Sequence, residues 1–352
     1  MVKNALMCRL RTDNTRNSII SNKFQRLVRL DGAQDRALYF EKAMPYFRRN
    51  RIPLLAGCLL GFAASLVEAQ SMEREVVVTV VDKDGSPVPG LQPDDFVVRE
   101  DGAIREVVRV IQDTEPRQIA LLVDTSEATQ RAYVEFRNAA SAFIDEMADQ
   151  HDVTLISFGG PPRILVPSTR DAERLSDGVG QIFAQPGSAA YLLDAMRETT
   201  AGFSKRDPAR PVIVVLASEG LDHSHTDSHT VLRELQEGGI AVHTIVLLGQ
   251  GLTPQPFGVS GFSRLENDPL AQWRMERDRG LNHAPSITGG TRRDLLIGTA
   301  ATRAMQEVAN ELRNQYLVIY SRPDALVPPE NIEVGLAQDG LTVRQTPVVA
   351  TQ

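Results

Sequence analysis

From residue 118 onward, apolar runs of strand length alternate with amphipathic segments of helix length. The four apolar runs are IALLVD (119–124), VTLISF (153–158), VIVVLAS (212–218) and AVHTIVLL (241–248). Runs that are apolar throughout are typical of strands buried on both faces, and helices between such strands cover the two faces of a parallel sheet. The sequence therefore predicts an α/β fold over residues 117–314, with a doubly wound, mostly parallel sheet.

A different pattern precedes this domain, over residues 73–113. Three short β-branched runs, EVVVTVV (75–81), DDFVVRED (94–101) and REVVRVIQD (105–113), are separated by turns or loops. Short strands without a helical period predict a small antiparallel β unit. Residues 315–352 are also strand-like, and we expect them to return and pair with this unit beside the α/β domain.

Residues 44–69 have the pattern of an export signal. Arg48, Arg49 and Arg51 precede an apolar stretch over 52–66, and a small-residue cleavage signal follows. The apolar stretch of about 15 residues is shorter than the roughly 20 that a membrane span needs, which favours a cleaved signal over a permanent membrane anchor. We therefore expect an exported protein, periplasmic or secreted, with an uncleaved anchor as the alternative.

The segment before this signal, residues 1–43, lacks regular apolar periodicity. We interpret it as a non-native or disordered extension and expect translation to start at Met44. The LAGC motif that ends at Cys58 is the pattern read by lipoprotein signal peptidase, so lipidation there is a second route to the membrane. Cys8 and Cys58 are the two cysteines of the chain, so the mature protein is predicted to have no disulfide and to depend on its core for stability.

The charge of the chain narrows the class of partner. From residue 70 onward there are 26 Lys and Arg against 40 Asp and Glu, a formal charge of −14. An acidic surface repels phosphate backbones and anionic lipid heads, so we expect no nucleic-acid partner. This charge favours cations and basic protein surfaces instead.

Several motifs in the predicted domains resemble those of one protein family. They are VDT at the end of the first parallel strand (123–125), DKDGSPVPGLQPDDFVVREDG (82–102), SITGGT (286–291) and ELRNQYLVIY (311–320). In this order they resemble the von Willebrand factor type A domain, and in particular a bacterial family of secreted proteins related to it. The resemblance implies a Rossmann-like α/β domain in which ligands bind at the carboxyl ends of the strands.

The same resemblance implies a metal-ion-dependent adhesion site for Mg²⁺ or Mn²⁺, and this chain matches its pattern only in part. Asp124 and Ser126 match, whereas Ala128 and Ala190 stand where the family has hydroxyl ligands, and Glu219 stands where it has Asp. Since Mg²⁺ needs oxygen ligands in octahedral array, the loss of two donors predicts weak metal binding or none. The alternative is that Asp124 caps the turn or helix that follows it.

A second candidate metal cluster follows at once, in LDHSHTDSH (221–229). It contains Asp222, His223, His225, Asp227 and His229, and imidazole with carboxylate suits zinc or another transition metal. Its spacing matches no closed zinc pattern. The alternative is a polar loop that leads into a helix, with Ser228 as the N-cap of that helix.

Residues 249–286 form a long connection, which we interpret as an insertion. Its Gly- and Pro-rich first half predicts a mobile loop, and its second half predicts a helix that carries Trp273. Trp273 is predicted either to contact a partner or to pack against the domain. We add Thr125 and Ser188 as candidate partner-binding residues at the same sheet edge.

No pattern in the sequence predicts an enzyme, since there is no nucleophile elbow, phosphate-binding loop or dinucleotide fingerprint. We therefore expect an exported, non-enzymatic adhesion or assembly module that binds a protein partner at the carboxyl edge of its sheet. One alternative is a structural subunit of an envelope assembly that acts through β-edge pairing. Another is a metal-dependent hydrolase that uses the cluster at 222–229.

Overall fold

The computed structural model describes residues 71–249, 269–323, 327, 329 and 331–347. The strands are β1 (Ser71–Val81), β2 (Phe96–Glu100), β3 (Ala103–Gln112), β4 (Gln118–Val123), β5 (Asp152–Ser157), β6 (Arg163–Thr169), β7 (Pro211–Ser218), β8 (Ala241–Leu247), β9 (Arg292–Leu295), β10 (Tyr316–Pro323), β11 (Ile332–Leu336) and β12 (Thr342–Gln345). The helices are α1 (Tyr133–Met147), α2 (Ala172–Val179), α3 (Leu192–Arg206), α4 (Ser228–Glu237), α5 (Pro269–Thr288) and α6 (Ala301–Arg313).

The interpretations of residues 1–43 and 44–69, including lipidation at Cys58, lie outside the described residues. The first half of the 249–286 connection also lies outside them. Within the described part of the chain, no helix has the length and hydropathy needed to cross a membrane.

The α/β domain is built on a six-stranded sheet in the order β6-β5-β4-β7-β8-β9. The pairs β5-β4, β4-β7, β7-β8 and β8-β9 are parallel, and β6 is antiparallel to β5. This confirms the mostly parallel sheet and the four predicted strands. Strands β6 and β9 were not predicted, because both are only partly buried and lack a long apolar run.

Both faces of this sheet are covered, as the continuous apolar runs predict. In β4, Ile119 and Leu121 belong to one buried cluster with residues of α1, α2 and α6. Their neighbours Ala120 and Leu122 belong to a second cluster on the opposite face with residues of α3, α4 and α5. Alternate side chains of β4 therefore anchor helices on both sides of the sheet, and the strand is accordingly apolar from Ile119 to Val123.

The second sheet is antiparallel and contains strands from both ends of the described chain, in the order β11-β2-β3-β10-β1-β12. Strand β1 pairs with β10 and β12, and β2 pairs with β11. The predicted pairing of the C-terminal strands with the 73–113 unit is therefore present. The side chain of Gln345 connects the two outer strands, since its amide oxygen accepts from Val334 N–H at 2.7 Å and its nitrogen donates to the Ile332 carbonyl.

A buried polar network joins the two sheets at the start of β4. The Arg117 guanidinium lies 2.9 Å from Asp113 Oδ2, both side chains being 1% exposed, and donates to Gln315 Oε1 at 2.8 Å. The Gln315 amide in turn donates to Thr79 Oγ1 at 2.8 Å. Arg210 adds a second contact to Asp113, at 3.3 Å. Buried charges are tolerated where they are paired and hydrogen-bonded, so this network keeps both sheets in one arrangement.

We expect Asp113→Ala to destabilise the protein by about 3–5 kcal/mol, because it leaves the buried Arg117 charge uncompensated. Urea unfolding measures the loss. The double variant Asp113→Ala/Arg117→Met should recover most of it, because no buried charge is then left alone. The control Asp152→Ala breaks a pair with Arg170 whose side chains are 34% and 45% exposed, and should cost at most about 1 kcal/mol. Equal losses in Asp113→Ala and the control would contradict this account.

His151 makes the stability of the same junction depend on pH. Its Nδ1 accepts a hydrogen bond from the Arg117 N–H at 3.2 Å, which requires the neutral ring. Burial, with a smaller contribution from the Arg117 charge, lowers the pKa of His151 from 6.5 to about 4. The unfolded chain therefore binds a proton at a pH where the folded protein does not.

We expect the free energy of unfolding to fall as the pH is lowered from about 6.5 to about 4, with this histidine contributing up to about 3 kcal/mol. In His151→Gln, the side-chain oxygen can accept the same N–H, so part of the pH dependence should disappear. Urea unfolding at pH 7, 5.5 and 4.5 measures the slope. An unchanged slope in the variant would show that His151 does not cause it.

Candidate functional site

The candidate site lies where β4, β7 and β8 end, at the carboxyl edge of the parallel sheet. Asp124, Thr125 and Ser126 follow β4 directly, while Ser218 ends β7 and Glu219 follows it. Parallel pairing of β4 with β7 and of β7 with β8 puts these ends at the same edge. Open α/β sheets bind ligands at this edge, because the turns after parallel strands converge there.

Asp124 is buried, and both of its carboxylate oxygens have partners. Its Oδ1 accepts from the Ser126 N–H at 2.8 Å, which forms an Asx turn at the end of β4. Its Oδ2 accepts from the N–H and the hydroxyl of Ser218 at 3.2 and 3.3 Å. The carboxylate therefore shapes the turn that follows it, as the alternative interpretation of Asp124 predicts.

The third partner of Asp124 is a cation supplied by helix α5. Nη2 of Arg277 lies 3.2 Å from Asp124 Oδ2, and Nη1 lies 3.8 Å from Asp222 Oδ2. Nη2 also donates to the main-chain carbonyl of Ser218. The Arg277 side chain is only 2% exposed, so it neutralises the edge from inside the fold.

Sequence reasoning missed Arg277, although a signal for it exists. Arg277, Leu281 and Ala284 lie four and three residues apart, so they share one face of a helix. Leu281 and Ala284 are fully buried in the core under α5. An arginine on the buried face of a helix requires an internal anion, and the sequence contained one such anion after β4.

Thr125 and Ser126 are both 2% exposed. The Thr125 hydroxyl accepts from the Gly159 N–H at 3.0 Å and from the Gln185 amide at 3.4 Å. Gly159 packs directly on the Thr125 main chain, where a Cβ atom would clash. Thr125 is thus an internal residue that joins three loops, which corrects its predicted role as a partner contact.

The positions without a hydroxyl ligand are filled by packing. A Cβ atom on Gly220 would lie 2.9 Å from the Ala128 methyl group, so Ala128 fits against the turn after β7. Ala190 is fully buried and forms β-bridges with Gly159 and Asp222. The adjacent Thr129 donates its hydroxyl to the Ser126 carbonyl at 2.8 Å.

Glu219 makes a contact other than the predicted one. Its carboxylate accepts from the Gly249 N–H at 2.6 Å, and the residue is exposed. The contacts of Asp124 described above are with Ser126, Ser218 and Arg277, not with Glu219. Of the expected metal ligands, Asp124 accepts from the Ser126 N–H and is paired with Arg277, whereas Glu219 bonds to Gly249. With a buried guanidinium against Asp124 and no side-chain oxygen at Ala128 or Ala190, the residues present do not fit a divalent-ion site.

The five residues of the second candidate cluster have separate roles. Asp222 is buried and accepts from the Leu192 N–H at 3.0 Å at the start of α3, and from the Ser224 N–H at 2.9 Å. Burial raises the pKa of Asp222, and the Arg277 charge opposes this. Asp227 is the N-cap of α4 and accepts from the Thr230 N–H at 2.9 Å. The prediction that Ser228 caps this helix is therefore wrong.

The His223 and His225 rings both lie beside Tyr191, with centroid distances of 6.3 and 6.2 Å. The His223 ring lies 4.7 Å from the Trp273 ring. The His225 side chain is 87% exposed, with Nδ1 at 3.4 Å from Asp194 Oδ2, and His229 is exposed in the first turn of α4. In the described part of the chain, no group of three or more His, Cys, Asp or Glu side chains is arranged to hold a metal ion.

Asp194 anchors the loop that carries these residues. It accepts from the N–H groups of His225 and Thr226 at 3.0 Å each. Partial burial acts to raise the pKa of Asp194, but these hydrogen bonds outweigh it and lower the pKa overall. The loop is therefore held in one conformation by an ionised carboxylate from α3.

Trp273 and Ser188 lie at the same edge with different exposure. Trp273 packs on His223 and is still 37% exposed, so part of its ring contacts the domain and its role as a partner contact stays a prediction. Ser188 is half-buried and donates its hydroxyl to the Gln185 carbonyl at 2.8 Å, within its own turn. Trp273 therefore has the larger surface to offer a partner.

Residues 119–221 match the family model of the von Willebrand factor type A domain. The matched segment contains strands β4 to β7 and the turns that carry Asp124 and Glu219, so the similarity to this domain type covers that part of the α/β domain. Helix α5 and Arg277 lie beyond the match. A comparison with curated protein sequences gave no match.

Solved structures with similarity to this chain include three proteins of low sequence identity. Proximal thread matrix protein 1 from the mussel byssus, with a zinc-occupied MIDAS motif, is 12% identical with a TM-score of 0.43, over 61% of this chain and 49% of that one. A von Willebrand factor type A protein from Catenulispora acidiphila is 11% identical with a TM-score of 0.44, over 73% of each chain. BatB from Bacteroides thetaiotaomicron is 17% identical with a TM-score of 0.39, over 56% of this chain and 99% of that one. This chain spans about half the length of the mussel protein.

Proposed function

We propose that this protein is an exported, non-enzymatic interaction module that captures a protein partner at the carboxyl edge of its parallel sheet. Binding has weak or no dependence on Mg²⁺ or Mn²⁺. Export is supported by the signal pattern at 44–69, and the domain type is one that commonly mediates protein–protein interaction. The partner surface itself is inferred from where the domain exposes apolar side chains.

One observation carries this proposal: the exposed large apolar residues described in the α/β domain gather at one edge. They are Val134, Ile164, Phe183, Trp273, Met275, Leu296 and Ile297. Each lies in a segment next to the carboxyl ends of the strands: the first turn of α1, the start of β6, the loop before α3, the first turns of α5, and the loop after β9. Single exposed apolar residues are normal, but several on one edge mark an interaction surface.

Leu296 and Ile297 are the most exposed of these residues, at 81% and 63%. They follow β9 and precede a short helical turn at Gly298–Ala300. At another part of the edge, Tyr191, His223 and Trp273 form a row of rings with centroid distances of 6.3 and 4.7 Å. Aromatic residues are favoured at the centres of protein interfaces, because they bury much area with little loss of conformational entropy.

Metal independence is supported by the contacts of Asp124. In a metal-dependent adhesion site, the ion accepts a carboxylate from the partner as its last ligand. Here the Asp124 carboxylate is hydrogen-bonded to Ser126 and Ser218 and paired with Arg277. Recognition is therefore assigned to the apolar and aromatic side chains around it.

The structure gives less support to the two alternatives. For β-edge pairing, β11 and β12 are the outer strands of the antiparallel sheet, and Gln345 already bonds main-chain groups of β11. For a hydrolase at 222–229, Asp222 and Asp227 are engaged as helix-terminal hydrogen-bond acceptors. The antiparallel sheet also exposes apolar side chains, but Met72, Ile104, Val108 and Ile111 lie on β1 and β3, which are paired on both sides and are not edge strands.

We expect the double variant Leu296→Ser/Ile297→Ser to reduce partner capture from envelope extracts at least tenfold, because it removes exposed apolar area without touching the core. A matched control is Ile104→Ser/Val108→Ser on β3, where the side chains are 67% and 46% exposed. The control should capture the same protein at the wild-type level. Quantitative mass spectrometry of the bound fraction, with Mg²⁺ and then with a chelator, provides the measurement.

Two outcomes of this experiment would contradict the proposal. Capture lost in the β3 control but kept in the Leu296/Ile297 variant would assign binding to the antiparallel sheet. Capture abolished by the chelator would show that a divalent ion forms part of the interface.

A further inference from the structure

The group that compensates the buried carboxylates of the edge is an arginine from a distant helix. The side chains of Arg277, Asp124 and Asp222 are 2%, 0% and 2% exposed. Two carboxylates and one guanidinium are thus enclosed together, out of contact with solvent. A buried carboxylate is costly unless a cation or several hydrogen-bond donors compensate it, so the edge depends on this one internal cation.

The two carboxylates are held in place by contacts that do not involve Arg277. Asp124 is fixed by the N–H groups of Ser126 and Ser218, and Asp222 by those of Leu192 and Ser224. These donors belong to the turns after β4 and β7 and to the start of α3. The turns at the sheet edge therefore hold Asp124 and Asp222 in position by themselves. Helix α5 contributes the arginine that lies between these two carboxylates.

The guanidinium does not use all of its donors in this position. Nη1 is buried and has no hydrogen-bond partner in the described structure, although it lies 3.8 Å from Asp222 Oδ2. An arginine site formed around its planar fork would satisfy both terminal nitrogens with short, paired contacts. Arg277 therefore interacts with Asp222 mainly through the attraction between opposite charges, and a different cation can supply the same positive charge.

Helix α5 is packed closely enough to deliver this charge. A Cβ atom on Gly280 would lie 2.6 Å from Leu193 Cδ2, so the absence of a side chain lets α5 approach α3. One helical turn earlier, this approach places Arg277 over the ends of β4 and β7. The position of the cation is therefore determined by helix packing.

We propose that Arg277 is the resident cation of this edge: its guanidinium, which lies between Asp124 and Asp222, supplies the positive charge that a divalent ion would otherwise supply at Asp124. The charge of the site is then built into the chain, and the edge is ordered without metal. The inference concerns the composition of the site and does not depend on whether a partner binds nearby. It also predicts that removal of the guanidinium leaves a pre-formed anionic cavity that accepts small cations.

The test is cation rescue of Arg277→Ala, followed by thermal unfolding. We expect this variant to unfold at a lower temperature than the wild type, because two buried carboxylates lose their counter-ion. Millimolar Mn²⁺ or guanidinium chloride, added separately, should restore at least half of that loss, since a cation that binds only the folded state stabilises it. Neither addition should raise the unfolding temperature of the wild type.

Arg279→Ala is the matched control, because Arg279 also lies on α5 but is 44% exposed and pairs with Glu276. It should show no response to either cation. The double variant Arg277→Ala/Asp124→Asn should lose the rescue, because one of the two anions is gone. A folded Arg277→Ala that responds to neither cation would overturn the proposal.

A measurement on the wild type keeps the proposal testable even if Arg277→Ala does not fold. Electron paramagnetic resonance measures Mn²⁺ binding to the wild type and to Asp124→Asn. We expect no Mn²⁺ binding in the wild type that is lost in Asp124→Asn. If the wild type binds Mn²⁺ and Asp124→Asn abolishes that binding, the site holds a metal ion beside Arg277 and the proposal is wrong. Partner capture is measured separately. If the proposal for Arg277 is wrong, the proposed interaction function is still tested by the Leu296→Ser/Ile297→Ser capture experiment.

Discussion

The ion pair between Arg277 and Asp124 is the interaction on which the carboxyl edge of this protein depends. It connects the turn after β4 to helix α5, and through the Ser218 carbonyl it also reaches the end of β7. Because Asp222 faces the same guanidinium, the loop that leads to α4 joins the same cluster. One buried cation thus ties together segments that are far apart in the chain.

The same principle of internal charge compensation recurs at the opposite end of the domain. Arg117 and Asp113 pair in the interior where the two sheets meet, and Gln315 extends the network to the antiparallel sheet. Both networks lie at ends of the parallel strands, where main-chain groups leave the sheet and need partners. The apolar runs between them carry the core, and the buried charges determine how the loops and the second sheet attach to it.

Much of the fold was predictable because its signals are local. The runs that became β4, β5, β7 and β8 are mostly apolar, and strands of this kind occur between helices in parallel sheets. The lack of a side-chain oxygen at Ala128 and Ala190 was also readable from the sequence. Predictions of individual contacts failed where they depended on side-chain direction: Thr125 turns inward to Gly159, and Glu219 bonds to Gly249.

The sequence alone determined the order and type of the main elements, with the exception of β6 and β9. It also indicated the return of the C-terminal strands and which residues follow each predicted strand. These follow from hydrophobic periodicity and turn chemistry, which act over a few residues. Only the tertiary structure decided which cation faces Asp124, because Arg277 lies 153 residues further along the chain. That contact depends on how closely α5 packs on α3. The spacing of Arg277 with Leu281 and Ala284 indicates only that the arginine lies on a buried helix face, not which residues it contacts.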